Sequence, residues 1–152
     1  MTKTFSLQPL VDLSHHKNDA AALKLGQLNQ KQQAEQKKLE TLLQFRRDYQ
    51  NKFREATQSG MDQNGLRNFQ SFLDRLDEAI QQQRGVIEQA TQSFANGRDE
   101  LHQAQRAMKS FDTLAQRHAE TVRQQNNQTD QKLQDEQSGR FAARNDESTD
   151  KP

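Results

Sequence analysis

FQSFLDRLDEAIQQQRGVIEQATQSFANGRDELHQAQRAMKSFDTLAQRHAETV, residues 69–122, decides the fold. Apolar residues recur in it at alternating steps of four and three. One column is Leu73, Ile80, Ile87, Phe94, Leu101, Met108, Ala115 and Val122, apolar throughout. A second column is mixed: Phe69, Leu76, Gln83, Ala90, Gly97, Ala104, Phe111 and His118. A 3.5-residue repeat sustained this long marks a helix packed along another helix. The stretch has no Pro, and its glycines are confined to positions 85 and 97.

The partner helix lies upstream. Pro9 suits a first helical turn, where its missing N–H costs nothing. From about residue 9 to residue 57 runs a weaker stripe of Val11, Ala21, Leu25, Leu28, Leu39, Leu42, Tyr49, Phe53 and Ala56. Ser14, Asn18, Gln32, Glu35 and Arg46 fall on the same columns, and polar seam positions of this kind fix register at a cost in stability. Between the stripes, QSGMDQNG (58–65) punctuates the chain. Gly60 can close the first helix in the left-handed conformation, and Asp62 or Asn64 can cap the second. So short a gap between long helices makes an antiparallel hairpin the economical topology. The expected fold is all-α, a long antiparallel two-helix coiled-coil hairpin. Residues 1–8 are expected as an irregular lead, 9–57 and 66–137 as helices, and 138–152 as a flexible tail. The second helix outruns the first, and its overhang, Thr121 to Gln137, is almost entirely polar, so it is expected either frayed or held by a partner.

Composition agrees. Hydrophobic residues make up 30% of 152, well below the roughly 45–50% of a compact globular domain. The 22 basic and 21 acidic residues leave a net charge of +1. That balance gives no electrostatic case for nucleic acid and, with the periodicity, favours helix over disorder. Cysteine is absent, which removes disulfides, thiolate metal sites and cysteine nucleophiles. No apolar run approaches the ~20 residues of a membrane span. His15 and His16 are adjacent and therefore point about 100° apart on a helix, unlike an i,i+4 metal pair. His118 lies on the seam. No phosphate loop, carboxylate pair or nucleophile–base set can be assembled, and a two-helix coil offers no concave pocket to tune one. No catalytic, metal or cofactor site is expected.

One feature exceeds what a two-helix seam needs. Phe72, Ala79 and Val86 recur every seven residues beside Leu73, Leu76 and Ile80. A third apolar column means either a partner surface or a widened core. The residues leave both open.

Residues 42–84, LLQFRRDYQNKFREATQSGMDQNGLRNFQSFLDRLDEAIQQQR, resemble the flagellar export protein family FliJ. The resemblance rests on aromatic residues at Phe45 and Tyr49, on Gly60 in the turn, and on the run Asn68, Phe69, Gln70, Phe72, Leu76, Ala79 and Ile80. DQKLQDEQSGRFAAR, residues 130–144, is similar to the family's C-terminal end, and LVDLSHHKNDAAALKLG, residues 10–26, fits loosely. The resemblance implies an antiparallel coiled coil, similar to the central stalk of rotary ATPases, that is not an enzyme. It implies binding within the ring of the flagellar type III export ATPase, to the large transmembrane component of the export gate, and to export chaperones. The matching gate-contacting positions are Phe72, Leu76, Ala79 and Gln83, the last commonly His in the family. The matching ATPase-ring end holds Asp135, Glu136 and Arg140. A cytoplasmic monomer is expected, peripherally associated with the inner-membrane export apparatus and not inserted in the membrane. Other readings are the equivalent stalk of a virulence secretion system and a free-standing coiled-coil spacer.

Overall fold

The computed structural model describes residues 5–148. Helix α1 spans Gln8–Gln58 and helix α2 spans Gln63–Ser148. The described residues contain no strand, and the chain is an all-α helical hairpin. Phe5 to Leu7 enter α1 through a turn whose Phe5 carbonyl accepts the Gln8 N–H at 3.1 Å.

The turn between the helices follows the expected chemistry. Gly60 has φ of 85°, a conformation that costs a Cβ-bearing residue roughly 1–2 kcal/mol. The Asp62 carboxylate accepts the Gly65 N–H at 2.9 Å, satisfying one of the donors that every helix start leaves unpaired.

The chain divides into two compact units. One is Lys17–Gln105, with Leu76, Ile80 and Ala90 as its buried apolar core. The other described residues of the α1 and α2 seam columns within it are half-buried or buried, including the polar Gln32, Glu35, Arg46 and Gln83. Gly97 is buried because the Leu28 side chain lies where its Cβ would be: a Cβ there would sit 2.7 Å from Leu28 Cδ1. Glycine in a helix costs about 1 kcal/mol, and here it permits that close approach.

The second unit combines, among the described residues, 5–16 with 106–148. Val11 and Ser14 are buried, and Ser14 Oγ donates to the Val11 carbonyl at 2.6 Å. His15 Nε2 lies 2.8 Å from Asp112 Oδ1. His118 stacks on Phe5 with ring centroids 5.0 Å apart. Val122 is the last half-buried residue; every described residue after it is exposed.

The helix limits differ from the expectation at the C-terminal end. The sequence places a break at Ser138–Gly139, whereas α2 continues to Ser148. Glycine in an exposed helix costs only about 1 kcal/mol. Its neighbours Gln137, Arg140, Ala142, Ala143 and Arg144 are good helix formers. Residues 1–4 of the expected lead and 149–152 of the expected tail lie outside the described residues.

Candidate functional site

Within Lys17–Gln105 the seam leaves two flanks, and they are built differently. On one, Arg46 Nε donates to Asp77 Oδ1 at 2.6 Å and Gln32 Nε2 donates to Thr91 Oγ1 at 3.2 Å. The Asp77 hydrogen bond and charge raise the Arg46 pKa above its ordinary value. These cross-helix bonds close that flank.

The other flank carries a groove of about 360 Å³ lined by Phe45, Asp48, Tyr49 and Lys52 of α1 and Phe72 and Leu76 of α2. Heptad geometry explains the mix. Tyr49 and Leu76 belong to the seam columns, while Phe45 and Phe72 sit one position outside them. Tyr49 packs against both Phe69 and Phe72, with centroids 4.8 and 4.2 Å apart. Phe53 meets Phe69 edge-on at 5.1 Å. The stack holds the Phe72 ring in place and still leaves that residue 45% exposed, with Phe45 at 58%. Aromatic surface fixed by its neighbours yet open to water loses little entropy when a partner covers it.

The four positions of the expected gate-contacting face do not behave alike. Phe72 is exposed, Ala79 is half-buried and Leu76 is buried. Gln83 turns into the seam: its amide donates to the Glu35 carboxylate at 2.6 Å and to the Glu35 backbone carbonyl at 2.9 Å. That bond, with smaller help from Lys38 and Lys31, holds the Glu35 carboxyl below its ordinary value despite the cost of burial. Gln83 is thus engaged by α1.

Asp135, Glu136 and Arg140 are all exposed on α2. Arg140 lines a shallow notch with Gln137, Phe141 and Arg144. Asp135 and Arg140 are five residues apart on the helix, so they point about 140° apart. Glu136 and Arg140, four residues apart, share one face, from which Asp135 diverges. No group of three or more His, Asp or Glu among the described residues could hold a metal ion. No helix there is long and apolar enough to cross a membrane.

Residues 2–147 match the family described as Flagellar FliJ protein. The chain belongs to the FliJ family. It is 27% identical over 147 residues to the flagellar FliJ protein of Escherichia coli (strain K12), covering 97% of this chain and 100% of that relative. The flagellar FliJ protein of Salmonella typhi is 27% identical over the same coverage. Membership in the FliJ family places the chain among flagellar export-related proteins. The FliJ resemblance read in residues 42–84 spans the aromatic groove. The α1 wall of that groove, Asp48 and Lys52, was missed as part of a site. The signal was available: Phe45 and Lys52 share one heptad column beside the seam.

Proposed function

We propose that this FliJ-family chain is a non-enzymatic part of the flagellar type III export apparatus. It acts as a central-stalk-like protein that binds the export ATPase ring, links it to the large transmembrane component of the export gate, and escorts export chaperones. The reading supports flagellum assembly and motility, with the chain working in the cytoplasm at the inner-membrane apparatus. The observation that carries it is the half-open Phe72 ring, held by Tyr49 in a groove beside a closed seam. A pre-formed aromatic anchor of this kind is what protein interfaces use as a binding hot spot.

In this reading Phe72 and Ala79 contact the gate, Leu76 forms the floor, and Gln83 supports the face from within the seam. Asp135, Glu136 and Arg140 belong to the end that engages the ATPase ring. A stalk that binds the assembled ring stabilises it by linkage, so the free chain has no ATPase activity and raises that of the ring. The test combines two measurements. Phe72→Ala should weaken binding to the gate component's cytoplasmic region and reduce motility while leaving ATPase stimulation intact. Removing residues 132–152 should do the reverse. Full gate binding by Phe72→Ala, or full stimulation by the truncated chain, contradicts the corresponding half of the reading.

A further inference from the structure

The docking groove belongs to a longer feature. On α1, Lys24, Lys31, Lys38 and Lys52 recur on one heptad column, with Phe45 in the place between Lys38 and Lys52. All four lysines are exposed. The column facing them on α2 is Phe72, Ala79, Val86, Ser93 and Glu100. Two contacts fix this pairing of columns. Lys24 Nζ meets Glu100 Oε2 at 3.0 Å, and Lys31 lines a notch of about 130 Å³ with Val86 and Ser93.

Positions beside a coiled-coil seam normally match opposite charges across it. Among the described residues only Glu100 answers a lysine across the seam. Lys38 reaches the Glu35 of its own helix at 3.3 Å, and Lys52 has no hydrogen bond or ion pair among the described residues. In the register set by Lys24 and Glu100, Lys31, Lys38 and Lys52 lie opposite Ser93, Val86 and Phe72, the last two partly exposed. Lysines one heptad apart are about 10 Å apart along the axis, beyond the ~8 Å Debye length at physiological salt, so their mutual repulsion is largely screened there and grows at low salt. The α1 column on the closed flank, by contrast, is Ala22, Asn29, Gln36, Leu43 and Gln50, without charge.

We propose that this flank, from Lys24 to Lys52, is a docking groove for an acidic amphipathic helix of a protein partner. The inference rests on the gate-docking reading of Phe72 and extends it. Apolar residues of the incoming helix cover Phe72, Ala79 and Val86, while its carboxylates answer Lys31, Lys38 and Lys52. The groove is roughly 40 Å long, enough for about four heptads. Its floor from Phe72 to Val86 is apolar, giving way to Ser93 and Glu100, and the chain carries a net charge of only +1, which favours a helix over a nucleic acid or a lipid surface.

The probe is a synthetic helix of about four heptads with leucines on its apolar columns and glutamates beside them. It carries a fluorophore, and the full chain is titrated into it. Saturable binding is expected, weakening as salt rises. Lys31→Glu with Lys52→Glu should lower the affinity about tenfold or more. Phe72→Ala should lower it as well. Reversing Arg98, Lys109 and Lys132 should change it little, and a twin peptide with lysines for glutamates should not bind. If charge reversal lowers the melting temperature, Lys31→Gln with Lys52→Gln replaces it and should give the same direction of effect. No binding of the acidic helix, equal binding by the groove variants, or binding only to vesicles of anionic lipid overturns the proposal. The gate component's cytoplasmic region separates this inference from the reading beneath it. If Phe72→Ala loses that region and the lysine variants keep it, the acidic-groove proposal fails and docking stands. If both keep it, docking itself fails.

Discussion

The two flanks of the Lys17–Gln105 seam share one core and differ in what lies beside it. One is stitched across by Arg46–Asp77 and Gln32–Thr91. The other leaves Phe45, Phe72 and Val86 partly in water, beneath a column of lysines. A two-helix seam buries two columns per helix, and those supply the fold. The next column out is released from that duty. Polar residues there tie the helices together; apolar and basic residues there leave the flank open to water.

The largest effect should come from breaking what both flanks share. Ile80 is 5% exposed, and Ile80→Asp places a carboxylate in the core without a partner. A loss of several kcal/mol is expected, read as a collapse of helical signal at much lower temperature. An unchanged melt would mean that Ile80 is not in the seam. Gly97→Val tests the close approach instead. Its side chain must displace Leu28, so a cost of about 1–3 kcal/mol is expected by thermal melting. Retained stability would show that Leu28 gives way freely.

A smaller effect involves pH. Glu35 is held below its ordinary carboxyl value chiefly by the Gln83 hydrogen bond. A depressed folded-state pKa contributes stability above the unfolded value, near 4.5, which is lost as pH falls through the folded value. Gln83→Leu should therefore flatten the acid limb of the melting-temperature profile below that pH. An identical limb in both proteins would remove Gln83 as the cause. The smallest effect should be Asp77→Ala on the closed flank. Exposed ion pairs contribute about 0–1 kcal/mol, so its melt should shift little.

Much of this was legible in the sequence, for a physical reason. Steps of three and four from Leu73 to Val122, and from Val11 to Ala56, can be satisfied only by burial along one stripe. Every one of those positions is buried or half-buried. Gly60 and Asp62 were legible because backbone chemistry at helix ends is local. The end of α2 was not, because Ser138–Gly139 reads as a stop while the cost of one exposed glycine is small beside the helix formers around it. Gln83 was half legible. Its column said seam, but its hold on Glu35 depends on the register between two helices, which no single stretch contains. The groove was half legible: Phe72 stood out on α2 and the Phe45–Lys52 column could be read on α1, whereas Asp48 gains meaning only once α1 is laid beside α2.

The flank contrast is tested most directly by one binding measurement on two variants. Phe72→Ala and Asp77→Ala alter opposite sides of the same seam, and each keeps Ile80 and Leu76 in place. Phe72→Ala should cost about 1 kcal/mol of stability, because its stack on Tyr49 is lost. Binding of the export gate's cytoplasmic region should weaken for Phe72→Ala by about 2 kcal/mol or more and stay near the original for Asp77→Ala. Equal binding by both variants, or loss confined to Asp77→Ala, would contradict the assignment of the open flank as the docking side.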